Sequence, residues 1–217
     1  MNTIDLLRLV SLLAAMLLAQ WFPYRESAAE VAQWSMEATT LPYEVGTRQI
    51  EVFAPDRRKK AVIDGVRLSV VMNGKHLPGI EDTGVSTLAE LQWSPDSTAF
   101  FITESYGGAV GDWRVTVYLS DGRRVRSLDV SKEVIKSFKK HYLCKEPEEP
   151  NVGAVKWLNG AKHLLLVAEV PPHSSCLEMG KIRGYIVDIP TGSILQEFTE
   201  KKLRPDWGVY LGRRLKG

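Results

Sequence analysis

Glu90-Leu91-Gln92-Trp93-Ser94-Pro95-Asp96-Ser97, with Ala99-Phe100-Phe101-Ile102 behind it, reads as two apolar strands joined by a tight turn. Pro95 pre-sets the backbone angle at the second position of a turn, and Asp96 can bond its own backbone two residues on. The chain is expected to reverse there, with the flat indole of Trp93 covering the mouth of the hairpin. The unit then continues. Trp113-Arg114-Val115-Thr116-Val117-Tyr118-Leu119 alternates in the two-residue rhythm of a half-buried strand. Asp121-Gly122 is a hairpin dipeptide, and Arg123 to Leu128 supplies a fourth strand with Val125 and Leu128 as its apolar members. Four such strands make one antiparallel sheet.

The same grammar occurs twice more. Upstream, Ile50-Glu51-Val52-Phe53-Ala54-Pro55-Asp56 places Phe53 where Trp93 stands, and Ala61-Val62-Ile63 returns. Asp64-Gly65 is a turn, Val66 to Met72 a third strand, and Asn73-Gly74 a strong hairpin signal. Downstream, Val155-Lys156-Trp157-Leu158-Asn159-Gly160 opens a unit that runs through Leu164–Val167, Gly184–Asp188, the Thr191-Gly192 turn and Ile194–Phe198. Internal repeats decide architecture before any local signal does. The expectation is a mainly β chain of three blade-like, four-stranded antiparallel units near residues 48–80, 88–130 and 152–200, forming an incomplete propeller-like arc or stacked sheets. One helix is inserted over 131–142, where Val134, Ile135, Phe138 and Tyr142 share a face, Ser131 can cap and Glu133 meets the positive end.

These units resemble the Trp-Ser-Pro-Asp-Gly repeats of TolB-like β-propellers, most closely at Trp93-Ser94-Pro95-Asp96 with Phe100-Phe101-Ile102 and Tyr118. Phe53, Trp93, Pro95, Asp96 and Trp157 carry the resemblance. Arg57 and Ser97 stand where that family prefers glycine, and Asn159-Gly160 replaces Pro-Asp-Gly. The resemblance implies a sheet architecture and, loosely, a protein-binding role, and it brings over no catalytic residue. A closed propeller needs 4–8 blades, so three make an open arc, a stack or part of an oligomeric ring.

Residues 1–29 read as an export signal: an apolar core, Leu9 to Leu18, follows Arg8, and Ser27-Ala28-Ala29 offers a cleavage site. The alternative is an uncleaved anchor, although the run is broken by Gln20 and Pro23 and falls short of the ~20 residues needed to span a bilayer. Either way residues 30–217, a single β domain, are expected outside the cytoplasm, periplasmic or secreted. In that compartment Cys144 and Cys176 read most simply as a disulfide. The alternative is a metal site using Cys144, Cys176, His141 and His173, but no pair has tight ligand spacing. No cofactor is expected. The formal net charge of +2 is too small to argue for nucleic acid. Glu30 to Thr47 reads as a short helix or edge strand, and Arg204 to Leu211 as one more apolar strand.

Candidate binding residues are Arg57 and Arg58, from the basic run Arg57-Arg58-Lys59-Lys60; Tyr106, Asp112 and Trp113 around a glycine-rich loop; and His173 in the loop before Cys176. The run is short for a binding site, and its plain reading is a solvated hairpin tip. Binding residues favour loops on rigid scaffolds. Signatures of hydrolases, zincins and P-loop enzymes are missing from the sequence. Glu81, Asp82, Glu104 and Asp112 are acidic loop residues whose spacing favours no dyad. The expected function is a non-enzymatic cell-envelope protein that presents loops to a protein partner, as an inhibitor or immunity protein does. Alternatives are a polysaccharide-binding module using exposed tryptophans and Tyr106, or a glycan-acting enzyme.

Overall fold

The computed structural model describes residues 33–41, 49–81, 83–107, 111–141, 143–144 and 148–216. The export segment, Asp82 and Tyr142 lie outside them. Thirteen strands form three separate antiparallel sheets among these residues. A two-residue strand, β1 (Thr39–Thr40), belongs to the second sheet. The first sheet is a meander of β2 (Ile50–Phe53), β3 (Lys59–Asp64), β4 (Arg67–Met72) and β5 (Lys75–Leu77). The second adds β6 (Leu88–Trp93), β7 (Ala99–Ser105), β8 (Arg114–Ser120) and β9 (Val125–Asp129), and the third is β10 (Asn151–Leu158), β11 (His163–Glu169), β12 (Ile182–Asp188) and β13 (Ser193–Thr199). Two helices complete the fold, α1 (Ser131–Phe138) and α2 (Glu200–Trp207). The sheets do not close into a barrel.

Why three sheets stay together is written in β7. Side chains alternate across a strand, so the neighbours Phe100 and Phe101 point to opposite faces, yet both are fully buried. Phe100 joins Trp93, Tyr118, Ala61, Ile63 and Val70 in a core between the first two sheets. Phe101 joins Val117, Trp157, Leu164 and Leu166 between the second and third. The middle sheet is sandwiched, and its central strand β7 opens on a continuous apolar run, Ala99–Ile102, for that reason.

The repeated turns match in detail. Ala54 N–H bonds Lys59 O and Arg57 N–H bonds Ala54 O, both at 2.9 Å. Ser94 N–H bonds Ala99 O at 2.8 Å and Ser97 N–H bonds Ser94 O at 2.9 Å. Arg57 and Ser97 accordingly sit at φ +60° and +61°, a left-handed conformation that costs an L-residue roughly 1–2 kcal/mol. The hydrogen bonds of the turn hold them there. The sheets are also stitched by their tryptophans: Trp93 Nε1–H donates to Val52 O at 2.9 Å, and Trp157 Nε1–H donates to Gln92 O at 3.2 Å. Each indole reaches the residue just before the equivalent aromatic of the preceding unit. Asp96 lies at the same seam, accepting Ala161 N–H at 3.0 Å. Burial opposes its charge, but bonds from Ser94, Thr98 and Ala161 prevail and hold its carboxyl below the usual range.

Three expectations need correction. Phe53 is 46% exposed, whereas Trp93 and Trp157 are 6% and 4% exposed, because among the described residues no further sheet lies against the first. Segment 204–211 is not a strand: α2 occupies its start, and a single bridge joins Leu211 to Ser35. Ser131 does not cap α1; its Oγ accepts Val115 N–H at 2.7 Å, while Asp129 accepts Ser131 N–H at 2.8 Å. Of the two readings of segment 30–47, the edge strand is the one found among its described residues, as β1 beside β6 of the second sheet.

Segment 33–41 and the C-terminal residues together cover the outer face of the third sheet. Trp34 and Leu203 are fully buried there with Leu165, Val167 and Leu215. Two glycines permit the close approach: a Cβ on Gly153 would lie 1.9 Å from the Trp34 ring, and one on Gly184 would lie 2.6 Å from Leu203. Gly212 N–H bonds Trp34 O at 2.7 Å, and the buried Glu90 accepts Trp34 N–H at 3.2 Å. Burial pushes the Glu90 carboxyl well above its ordinary range, against the pull of the two backbone N–H groups of Trp34 and Ser35. Arg214 pairs with Glu169 at 2.8 Å, and its guanidinium lies 5.0 Å from the Trp34 ring and 5.5 Å from that of Trp113.

Candidate functional site

The outer face of the first sheet has no such cover among the described residues. The register puts Phe53, Lys60, Val71 and His76 side by side on it, with Glu51, Val62 and Ser69 one step along. A concavity of about 400 Å³ opens there, lined by Phe53, Arg57, Arg58, Lys60, Val62 and Val71 among others, none of them acidic. The Phe53 ring is flanked by cations, with Arg57 at 5.7 Å and Lys60 at 5.5 Å from its centroid. This is cation–π distance.

The basic run does not behave as one unit. Lys59 is buried and pairs with Asp56 at 3.7 Å, while Lys60 pairs with Glu51 at 2.5 Å. Strand alternation parts them: Lys59 and Lys60 begin β3, and Arg57 and Arg58 form the exposed hairpin tip. Neither arginine has an ion-pair partner among the described residues. The face therefore offers a short apolar floor, one exposed phenyl ring and two uncompensated guanidinium groups.

The other sequence candidates are scattered. Tyr106 is 84% exposed. Asp112 pairs with Arg114 at 3.0 Å, which in turn bonds Pro150 O at 3.1 Å. Trp113 is buried against Trp34 at 5.9 Å between ring centroids, so it is a packing residue and not part of a recognition surface. Of the tryptophans among the described residues, Trp34, Trp93, Trp113 and Trp157 are buried and Trp207 is half-buried. A glycan platform of exposed tryptophans is missing among these residues. His173 is exposed on its loop at φ +71°. Cys144 and Cys176 form a disulfide with their Cα atoms 5.8 Å apart, closing 32 positions of chain. Their sulfurs lie beside Glu178, but as a disulfide they hold no thiolate for a metal. The acidic loop residues are engaged separately: Glu81 accepts Gly79 N–H at 2.8 Å, and Glu104 accepts Ser86 N–H at 2.6 Å.

One cluster has no linear signal. Ser137 and His141, from α1 and the 3-10 turn after it (Lys139–His141), meet Arg183 of β12 and Glu197 of β13. The Ser137 hydroxyl donates to Glu197 and, with His141 and Arg183 and against the effect of burial, holds that carboxyl below its usual range. Burial and the nearby Glu197 push the Tyr185 phenol up. The carboxylate sits between hydroxyl and imidazole, with His141 Nε2 3.4 Å from Glu197. A nucleophile is activated when the base touches it, which this order does not provide; the cluster docks the helix on the third sheet. No helix among the described residues is long and apolar enough to cross a membrane.

The sequence matches no protein-family model, and no curated protein is significantly similar to it.

Proposed function

We propose that this chain is a non-catalytic interaction protein of the cell envelope that docks a protein partner on the outer face of its first sheet. One observation carries the reading: both sheet-to-sheet seams and the third sheet's outer face are packed, while among the described residues nothing covers the first sheet's outer face, which is rimmed by Arg57 and Arg58. Aromatic and arginine side chains around a small apolar floor are the usual makings of a binding hot spot. The extracytoplasmic assignment is supported by the Cys144–Cys176 disulfide, a bond that persists in oxidising compartments. Kinship with TolB-like blades is part of the same proposal, supported by the left-handed Arg57 and Ser97 at the positions where those repeats carry glycine.

The test is affinity capture from an envelope extract with the wild-type chain beside a Phe53→Ser, Arg57→Glu, Arg58→Glu variant. The expected result is one stoichiometric protein retained by the wild type and lost by the variant, with unchanged thermal unfolding. Equal retention by both proteins overturns the assignment of this face.

A further inference from the structure

We infer that the outer edge of β2, with the basic face beside it, is a strand-addition site for an extended, carboxylate-bearing segment of the partner. The inference rests on the docking role proposed above and adds how the partner is held.

Ala54 N–H bonds Lys59 O, and Asn73 N–H bonds Arg58 O. Bonded and non-bonded pairs alternate along an antiparallel ladder. Lys60 therefore exchanges bonds with Val71 of β4 and turns away from β2, while Val52 exchanges bonds with Ala61. Glu51 and Phe53, opposite Val62 and Lys60, are left with N–H and C=O groups directed to the other side of β2. Among the described residues no strand pairs there.

The same position is filled in the second sheet. By register Leu91, opposite Ile102, corresponds to Glu51, opposite Val62, whereas in the third sheet a bulge inserts Val155 between Ala154 and Lys156 at that level. Thr39 of β1 pairs with Leu91, and Leu41 N–H donates to Ala89 O at 2.8 Å. The Val155 carbonyl accepts the Ser35 hydroxyl at 2.7 Å. Segment 33–41 thus adds a strand at the equivalent edge of the second sheet and a side-chain bond at the bulge of the third, and the molecule contains its own precedent for an added strand. Unpaired strand edges are templates for another chain, and strand addition takes its affinity from main-chain bonds.

Charge names the occupant. Every second side chain of an added strand falls on the outer face, where Arg57, Arg58, Lys60 and His76 line a concavity without a carboxylate. Alternating acidic and apolar side chains suit that face and the Val62–Val71 floor.

The probe is a fluorescent decamer of alternating Val and Glu, titrated by anisotropy at physiological ionic strength. It is expected to bind saturably and to protect the Glu51 and Phe53 amides from exchange. Its Val–Lys counterpart, and a version N-methylated at alternate residues, are expected to bind about tenfold more weakly or worse, as loss of charge pairing or of two backbone bonds requires. A Glu51→Pro chain, which loses the outward N–H together with the Lys60 ion pair, is expected to fold and lose binding; Glu51→Ala, which loses the ion pair alone, is expected to keep it. Absence of saturable binding, or indifference to N-methylation and to Glu51→Pro, overturns the strand-addition site. Partner capture that still depends on Phe53, Arg57 and Arg58 then leaves the docking face standing. Self-association of the chain alone, abolished by Glu51→Pro, makes a second copy the occupant and overturns the acidic partner.

Discussion

Against the outer face of the third sheet lie α2, Trp34 and Leu215, whereas among the described residues the outer face of the first sheet carries only its own side chains. Both are end faces of one stack, built from the same hairpin grammar. The third face meets its cover with glycine, Gly153 and Gly184, where backbone and ring must approach. The first meets solvent with Phe53, Arg57 and Lys60, side chains that cannot all be buried without a partner for their charge. An end built for intramolecular cover is cut back to admit it, and an end without cover keeps long, charged side chains.

The largest effect that sharpens this contrast is expected at Arg214. Its guanidinium pairs with the buried Glu169 and stacks over Trp34 and Trp113. Burial pushes the Glu169 carboxyl up and Arg214 draws it back, so Arg214→Ala leaves an unpaired buried carboxyl. A loss of about 3–5 kcal/mol in urea unfolding is expected; a loss below about 1 kcal/mol would mean that the cover is no part of the folded core. A middling effect is expected at Glu90. Its folded-state pKa is raised, so its contribution is fully present below the ordinary value of 4.5 and is lost as pH rises through the raised value. Glu90→Gln keeps an acceptor for Trp34 N–H without the charge. Relative to wild type it is expected to gain ~1–2 kcal/mol as pH is raised toward neutrality and nothing in acid; parallel stability curves across pH would disprove this. The smallest effect belongs to the bare end, where Phe53→Ser is expected to change stability by no more than about 0.5 kcal/mol. A larger loss would show Phe53 to be a core residue and erase the contrast.

The three sheets were legible because hairpin chemistry is local. Asn73-Gly74 takes φ +49° and +80°, the mirror-image turn its dipeptide announces. Trp93, Trp157 and the Phe100-Phe101 pair were legible as packing residues for the same reason. Phe53 was not distinguishable from them, because its exposure depends on a neighbouring sheet being absent and not on its own strand. α2 escaped notice because Leu203 is its one fully buried side chain and Pro205 interrupts any helical reading. The pairing of Ser137 with Glu197 spans 60 positions, and no linear pattern encodes it. The basic run was visible, but its division into buried Lys59 and exposed Arg57 and Arg58 came only with strand register.

The indole bonds have a further consequence. In each the donor belongs to the later unit and the acceptor to the earlier one, so the series has a direction, like links hooked one way. Phenylalanine at 53 has no hook. The chain of links stops there by chemistry, and whatever settles on that end must grip it by other means.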